Sequence, residues 1–133
     1  MGRSLLIIKP DAVERNLIGE ILSRLEKARF IVAAIKMTKL DYDQARKFYA
    51  VHEGKPFLDE LCKFMSSGPI VPMVLKSDGD TVAKIRELIG ATDHKKAAAG
   101  TIRHDIAVSL TKNSVHASDS PQNAEQEINF FFS

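Results

Sequence analysis

The spacing of apolar positions changes several times along the chain, and each change marks an element. Leu5-Leu6-Ile7-Ile8 is a short apolar run stopped by Lys9-Pro10, the pattern of a buried strand that ends at a turn. From Asp11 the period becomes helical: Ile18, Ile21, Leu22, Leu25 and Ala28 form one stripe, with Glu20, Arg24 and Lys27 off it. This predicts one crossover helix. Between Phe30 and Leu40, alternation of Ile31, Ala33, Ile35 and Met37 predicts a strand that buries the face carrying those residues. Asp41 and Asp43 offer N-caps for the next helix. Residues 43–66 read as two short helices parted at Gly54-Lys55-Pro56, because proline fixes φ and biases the residue before it away from helix. Phe57 then opens the second helix.

Pro69 to Leu75 reads as a strand with prolines near its entry, as an edge or a strand start permits. Asp78 or Asp80 caps a helix through Val82, Ile85, Leu88 and Ile89, closed by Gly90. Residues 91–112 keep no period, and a loop of about twenty residues in so small a protein points to function. It holds Thr92, Lys95, Lys96, Arg103 and Lys112. Asn113 to Ala117 is the last strand, and Ser120-Pro121 opens a final helix through Ala124, Ile128 and Phe131. The order predicts an α+β fold: a ferredoxin-like βαββαβ antiparallel sheet with helices packed on one face and a long phosphate-binding loop. With no repeat, linker or low-complexity tract, residues 1–133 read as a single domain.

Composition narrows the partners. There are 19 basic and 17 acidic side chains, so a global basic field is not the main device for attracting a polyanion. The balance is local: residues 1–112 carry 19 basic and 14 acidic side chains, and residues 113–133 carry none and three. An anionic substrate is expected to dock in the positive part. Cys62 has no intramolecular disulfide partner, which suggests a cytoplasmic setting. The run after Ser4 is too short for a secretory signal, and Leu6 stands where a myristoylation signal needs Ser or Thr. No apolar run approaches the roughly 20 residues of a membrane span, so no membrane partner is expected.

Several familiar chemistries are missing. The seven glycines form neither G-x-x-x-x-G-K-[ST] nor G-x-G-x-x-G, so a bound nucleotide must be held by side chains. There is no Cys pair, H-E-x-x-H or Cys/His cluster for zinc, and no G-x-S-x-G elbow. What remains is Asn113-Ser114-Val115-His116-Ala117-Ser118-Asp119-Ser120-Pro121, with Glu127 two turns into the following helix. This segment resembles the N-x-x-H-G-S-D-S active-site signature of nucleoside diphosphate kinases. Other family marks occur in register along nearly the whole chain: Ile8-Lys9-Pro10-Asp11, Phe48-Tyr49, Pro56-Phe57, Ser67-Gly68-Pro69, Arg86 before Gly90-Ala91-Thr92, and Gly100-Thr101-Ile102-Arg103.

The resemblance implies ping-pong transfer of the γ-phosphate of ATP to a nucleoside diphosphate through a phosphohistidine at His116. An unperturbed imidazole, with a pKa of about 6.5, is largely neutral at pH 7 and needs no separate base. One ring nitrogen must face the substrate while the other is held, and Glu127 is the natural holder. The helix from Pro121 rises roughly 9 Å to reach it, enough to fold back beside a strand end. On its own, His116 could equally be a structurally satisfied histidine, and S-D-S-P is also an ordinary helix start. His52, His94 and His104 read as surface or loop residues.

By the same resemblance Lys9, Arg86, Arg103 and Thr92 lie on the phosphates, where phosphoryl transfer needs charge stabilisation. Ser118 and Tyr49 join the catalytic set, and Asn113 with Lys9 takes a ribose hydroxyl. Phe57 stacks on the base and Leu110 covers its other face. Mg²⁺ is expected to ride on the nucleotide phosphates, because no carboxylate cage is visible. A homo-oligomer is implied, a tetramer or hexamer built from dimers, with the apolar Phe130-Phe131-Phe132 tail as a place to bury against a partner. The alternative function is a non-catalytic nucleotide or single-strand nucleic-acid binding module. Nucleic acid is not expected as the main partner, since the RNP aromatic pattern is absent and aromatics make up only 7%. Two positions depart from the family pattern: Ala117 stands where the signature has Gly, and His94 where Pro is frequent. The expectation is that residue 117 needs no positive φ.

Overall fold

A computed structural model describes residues 2–109 and 112–132. Its elements are β1 (Gly2–Ile8), α1 (Pro10–Glu14), α2 (Ile18–Lys27), β2 (Ile31–Ile35), α3 (Tyr42–Phe48), α4 (Leu58–Met65), β3 (Val71–Ser77), α5 (Thr81–Ile89), α6 (Ile102–Ile106), β4 (Val115–Ala117) and α7 (Pro121–Phe132), with a 3₁₀ turn at Ala50–His52. The four strands form one antiparallel sheet in the order β2-β3-β1-β4, the ferredoxin-like arrangement. Leu110 lies outside the described residues.

Helices cover both faces of the sheet rather than one. Alternate β1 residues point to opposite sides. Leu6 and Ile8 enter a core with Ile21, Leu25, Ile85, Ile89 and Ile102, while Leu5 and Ile7 enter another with Ala45, Leu58, Cys62, Ile128 and Phe131. The Leu5–Ile8 run is apolar throughout because both of its faces are buried. β3 is equally central, so Pro72 is tolerated as a position near a strand start and not at an edge.

Three local features depart from the periodic reading. The crossover is two helices: α1 closes with Leu17 N–H on the Ala12 carbonyl (3.0 Å) and Asn16 N–H on that of Val13 (3.1 Å), Asn16 taking the left-handed φ of 59° that asparagine tolerates. In β2 the pairing skips Ala33, a bulge that places Val32 opposite Leu75 and Ala34 opposite Val74, on opposite faces. Burial still alternates along β2, but with Val32 and Ala34 as the half-buried positions, so Ile31, Ile35 and Met37 are 52%, 45% and 58% exposed instead of buried. The long loop also contains α6, a single turn whose one deep apolar residue, Ile102, gives no period to detect.

The caps behave as expected from chemistry. Asp41 and Gln44 form a reciprocal capping box on α3, and Asp80 accepts from the Ala83 N–H on α5. Among the described residues no helix is long and apolar enough to cross a membrane.

Candidate functional site

The catalytic-looking strand is placed by register. His116 of β4 lies opposite Ile7 of β1, and opposed residues share a face, so the imidazole points toward the layer of α3, α4 and α7. There its ring meets Phe48 at 5.4 Å and Tyr49 at 5.7 Å between centroids, both edge-on. From α7, Glu127 Oε1 accepts from His116 Nε2 at 2.7 Å and from Ser118 Oγ at 3.0 Å. A carboxylate acceptor at Nε2 fixes the proton there and leaves the Nδ1 lone pair available. Burial, with Lys9 and Arg103 adding to it, lowers the imidazole pKa below its ordinary 6.5 against the opposing pull of Glu127. His116 is thus neutral at pH 7.

Immediately before β4 the chain makes a γ-turn: Val115 N–H donates to the Asn113 carbonyl at 3.0 Å, with Ser114 at φ 78°. This tight turn drops Asn113 beside Lys9, whose Nζ donates to Asn113 Oδ1 at 2.8 Å. Asn113 Nδ2 reaches the Thr92 carbonyl at 3.4 Å, tying the turn to the loop after α5. Ala117 has no positive φ and continues β4, so the departure from Gly leaves His116 in line, as expected.

These side chains border a cavity of about 450 Å³. Lys9, Tyr49, Phe57, Arg86, Thr92, Arg103, Asn113, His116 and Glu127 all line it. Ser118 does not; it is 1% exposed and meets the site through its bond to Glu127. The cavity brings the cations Lys9, Arg86 and Arg103 together on its wall. Burial and then Arg103 push the Lys9 ammonium down to about 7, and burial and then Arg86 push Arg103 down to about 10. Arg103 is anchored by its own donors to the carbonyls of Val115 (2.8 Å) and Gly90 (3.3 Å). Crowded, desolvated cations of this kind suit a polyanion that brings the missing negative charge.

The mouth is aromatic. Tyr49 stacks on His52 at 6.1 Å and 25°, and His52 leans on Phe57 at 5.3 Å. Phe57 is 47% exposed, so it is not a core residue. Tyr49 Oη is buried and has no hydrogen-bond partner among the described residues, and burial drives its pKa up, so it stays a donor. Sequence reading missed His52, together with Phe48, Val51, Leu61, Asp119 and Asn123 on the cavity wall. The available signal for His52 was its place three residues after Tyr49 and five before Phe57. His104 pairs with Asp105 at 2.9 Å, and His94 keeps a buried, unpartnered Nδ1 in the loop after α5.

Among the described residues no group of three or more His, Cys, Asp or Glu could hold a metal. The two carboxylates on the wall are already used: Glu127 by His116 and Ser118, and Asp119 by Asn123 Nδ2 at 2.6 Å.

Comparison with known proteins gives a consistent result. The model of the nucleoside diphosphate kinase family matches residues 2–133. The nucleoside diphosphate kinase of Desulfatibacillum aliphaticivorans is 58% identical over 132 residues, covering 99% of this chain and 95% of that protein. Nucleoside diphosphate kinase 1 of Protochlamydia amoebophila is 58% identical over 130 residues, covering 98% and 92%. Among solved structures, the Aquifex aeolicus nucleoside diphosphate kinase superposes with a TM-score of 0.96 at 44% identity, over 99% of this chain and 95% of that one. A halophilic nucleoside diphosphate kinase from Halobacterium salinarum in complex with CDP gives 0.93 at 41% identity, over 98% and 87%.

Proposed function

This chain belongs to the nucleoside diphosphate kinase family, and from that membership we propose how its own residues carry the reaction. The activity is transfer of the γ-phosphate of a nucleoside triphosphate to a nucleoside diphosphate. The observation that carries our assignment is the commitment of His116 Nε2 to Glu127 on the wall of a cation-lined cavity. In the first half-reaction the Nδ1 lone pair forms a bond to the γ-phosphorus of ATP. The bond from that phosphorus to the β,γ-bridging oxygen breaks, its electron pair stays on that oxygen, and ADP leaves. In the second, a β-phosphate oxygen of the acceptor attacks the same phosphorus, and the P–N pair returns to Nδ1. No proton moves at Nδ1 in either half.

Lys9, Arg86 and Arg103 oppose the phosphate charge, with Thr92 as a hydroxyl donor. Tyr49 donates toward the transferred group, Asn113 and Lys9 take the ribose hydroxyl, and Ser118 steadies Glu127. Phe57 offers a π-face that any base can stack on, worth about 1–3 kcal/mol, which favours broad base acceptance. The wall residues do not form a magnesium cage, so Mg²⁺ fits as a passenger on the nucleotide phosphates, where it would neutralise developing charge. We read residues 1–133 as one domain with one site, supported by a single sheet shared by both cores. A cytoplasmic setting fits the free, buried thiol of Cys62.

Incubation with labelled ATP tests this reading. An acid-labile, alkali-stable phosphoprotein that passes its label to GDP is expected. Salt-dependent RNA affinity with no labelled protein would instead support the binding-module alternative.

A homo-oligomer of dimers, tetrameric or hexameric, belongs to the same proposal. In the Phe130–Phe132 tail Phe131 is buried in its own core at 6% exposure, while Phe130 packs on Phe48 at 5.3 Å and stays 39% exposed, open to a partner. The better surface is the β2 edge with exposed Ile31, Ile35 and Met37. Ile35→Glu is expected to lower the mass seen by light scattering to that of a smaller assembly. An unchanged mass would remove this edge from the interface.

A further inference from the structure

Five polar side chains are buried where β1 ends: Lys9 and Asp11 at 5% exposure each, Arg103 at 6%, Asn113 at 2% and Ser114 at 0%. Lys9, Arg103 and Asn113 have places in the reaction proposed above. Asp11 has none, and it does not line the cavity. A carboxylate at that depth is costly unless positive charge compensates it. Among the described residues neither of its oxygens meets a donor in hydrogen-bond geometry. Burial raises its pKa above the ordinary carboxylate value, and the groups that hold it back toward the charged form are the Lys9 ammonium at the head of α1, its own N–H, the Arg15 guanidinium at the helix end, and the N–H of Ser114 from across the γ-turn. The backbone joins the same partners, because Lys9 N–H donates to the Ser114 carbonyl at 2.9 Å. Asp11 therefore stands at the junction of β1, α1 and the turn that presents β4.

We propose that Asp11 is a positioning residue for phosphotransfer: buried behind Lys9 and under the Ser114 turn, its negative charge keeps the Lys9 ammonium charged and directed at Asn113. The proposal rests on the reading of Lys9 as a phosphate-binding cation. Lys9 needs such support because its surroundings work against its charge. Burial and Arg103 of α6 lower its pKa, and the Asp11 carboxylate raises it; His116 of β4 lies close enough to feel the ammonium in turn. Removing the carboxylate takes away a charge that favours the ammonium and so lowers the Lys9 pKa further.

The test uses Asp11→Asn, which keeps the shape and removes the charge, in the full chain. The Lys9 side-chain nitrogen is followed by NMR in ¹⁵N-lysine protein, its signal identified by its loss in Lys9→Arg. In the wild type it should titrate at about 7, and in Asp11→Asn at least about one pH unit lower. One unit translates into a KM for nucleotide about tenfold above wild type at pH 8, converging with wild type toward acid pH where both ammonium groups are charged. Asp11→Glu, which restores the charge, should recover most of this KM. If Asp11→Asn does not fold, Asp11→Ser, smaller and neutral, is read in the same two ways. A Lys9 midpoint that stays at the wild-type value overturns the proposal, as does a KM ratio to wild type that is constant from pH 6 to pH 8. Should the wild type form no phosphohistidine, the functional reading fails by itself, while the NMR titration still decides whether Asp11 holds the charge of Lys9.

Discussion

His116→Ala is expected to reduce phosphotransfer on the order of 10⁴-fold or more while changing nucleotide affinity only a few-fold, since a lost nucleophile is not replaced by its neighbours. The separation comes from the geometry. The cations that hold phosphate come from the β1–α1 junction, α5 and α6, and the anchors of Lys9 on Asn113 and of Arg103 on the Gly90 and Val115 carbonyls do not pass through the imidazole. Single-turnover labelling and equilibrium binding of ADP measure the two quantities. A variant that still passes label to GDP would sink the assignment. Glu127→Gln makes a graded companion, because the amide oxygen can still accept from Nε2 but without charge; a loss of roughly 10- to 100-fold is expected, as for partners that orient a reacting imidazole. The pH profile adds a sign. Burial holds the His116 pKa below 6.5, so wild-type phosphorylation should stay level as pH falls to 6.5 and decline only below it. Glu127 raises that pKa, so its neutralisation should move the acid limb to still lower pH even as the plateau rate falls.

Which parts of this site could be read from sequence depended on distance along the chain. His116 and Glu127 are 11 residues apart, and a strand end followed by two helical turns brings them together by local geometry. Lys9 and Asn113 are 104 residues apart, and only the pairing of β1 with β4 makes them neighbours at 2.8 Å. Arg86, Thr92 and Arg103 belonged to the site by resemblance, and their convergence needed α5 and α6 on the same side of the sheet. His52 was passed over because its company, Tyr49 and Phe57, is assembled by a 3₁₀ turn that leaves no apolar period. The misread elements have similar causes. β2 carries its larger apolar residues, Ile31 and Ile35, at exposed positions and the smaller Val32 and Ala34 at the half-buried ones, so its alternation points to the wrong set, and α6 carries one buried apolar side chain. Placing helices on one face conflicted with the Leu5–Ile8 run itself, since a strand apolar at consecutive positions requires cover on both sides.

Gly90→Ala is expected to cost about 2–6 kcal/mol and to weaken nucleotide binding, although residue 90 contributes no side chain to the site. Gly90 ends α5 at φ 88° and ψ 179°, a region essentially reserved for glycine, where an L-residue is strained by about 1–3 kcal/mol. A Cβ there would stand 2.5 Å from Thr101 Oγ1, 2.8 Å from Thr101 Cβ and 3.0 Å from Ala97 Cβ, so the neighbours must move, at a typical overpacking cost of about 1–3 kcal/mol. Thr101 is not free to yield. Its hydroxyl donates to the Ala98 carbonyl at 2.7 Å and accepts from His104 N–H at 3.3 Å, capping the turn that carries Arg103. Arg103 in turn donates to the Gly90 carbonyl, so the clash and the phosphate clamp share one piece of backbone. Gly54 supplies the control: its φ is 86°, yet an added Cβ meets nothing within 4 Å. Gly54→Ala should therefore show the conformational cost alone, a fall in melting temperature of a few degrees, and Gly90→Ala a fall of roughly 10 °C or more together with a raised KM. Equal melting temperatures for the two variants would mean that the α5–α6 junction relaxes freely and does not hold Arg103 in place.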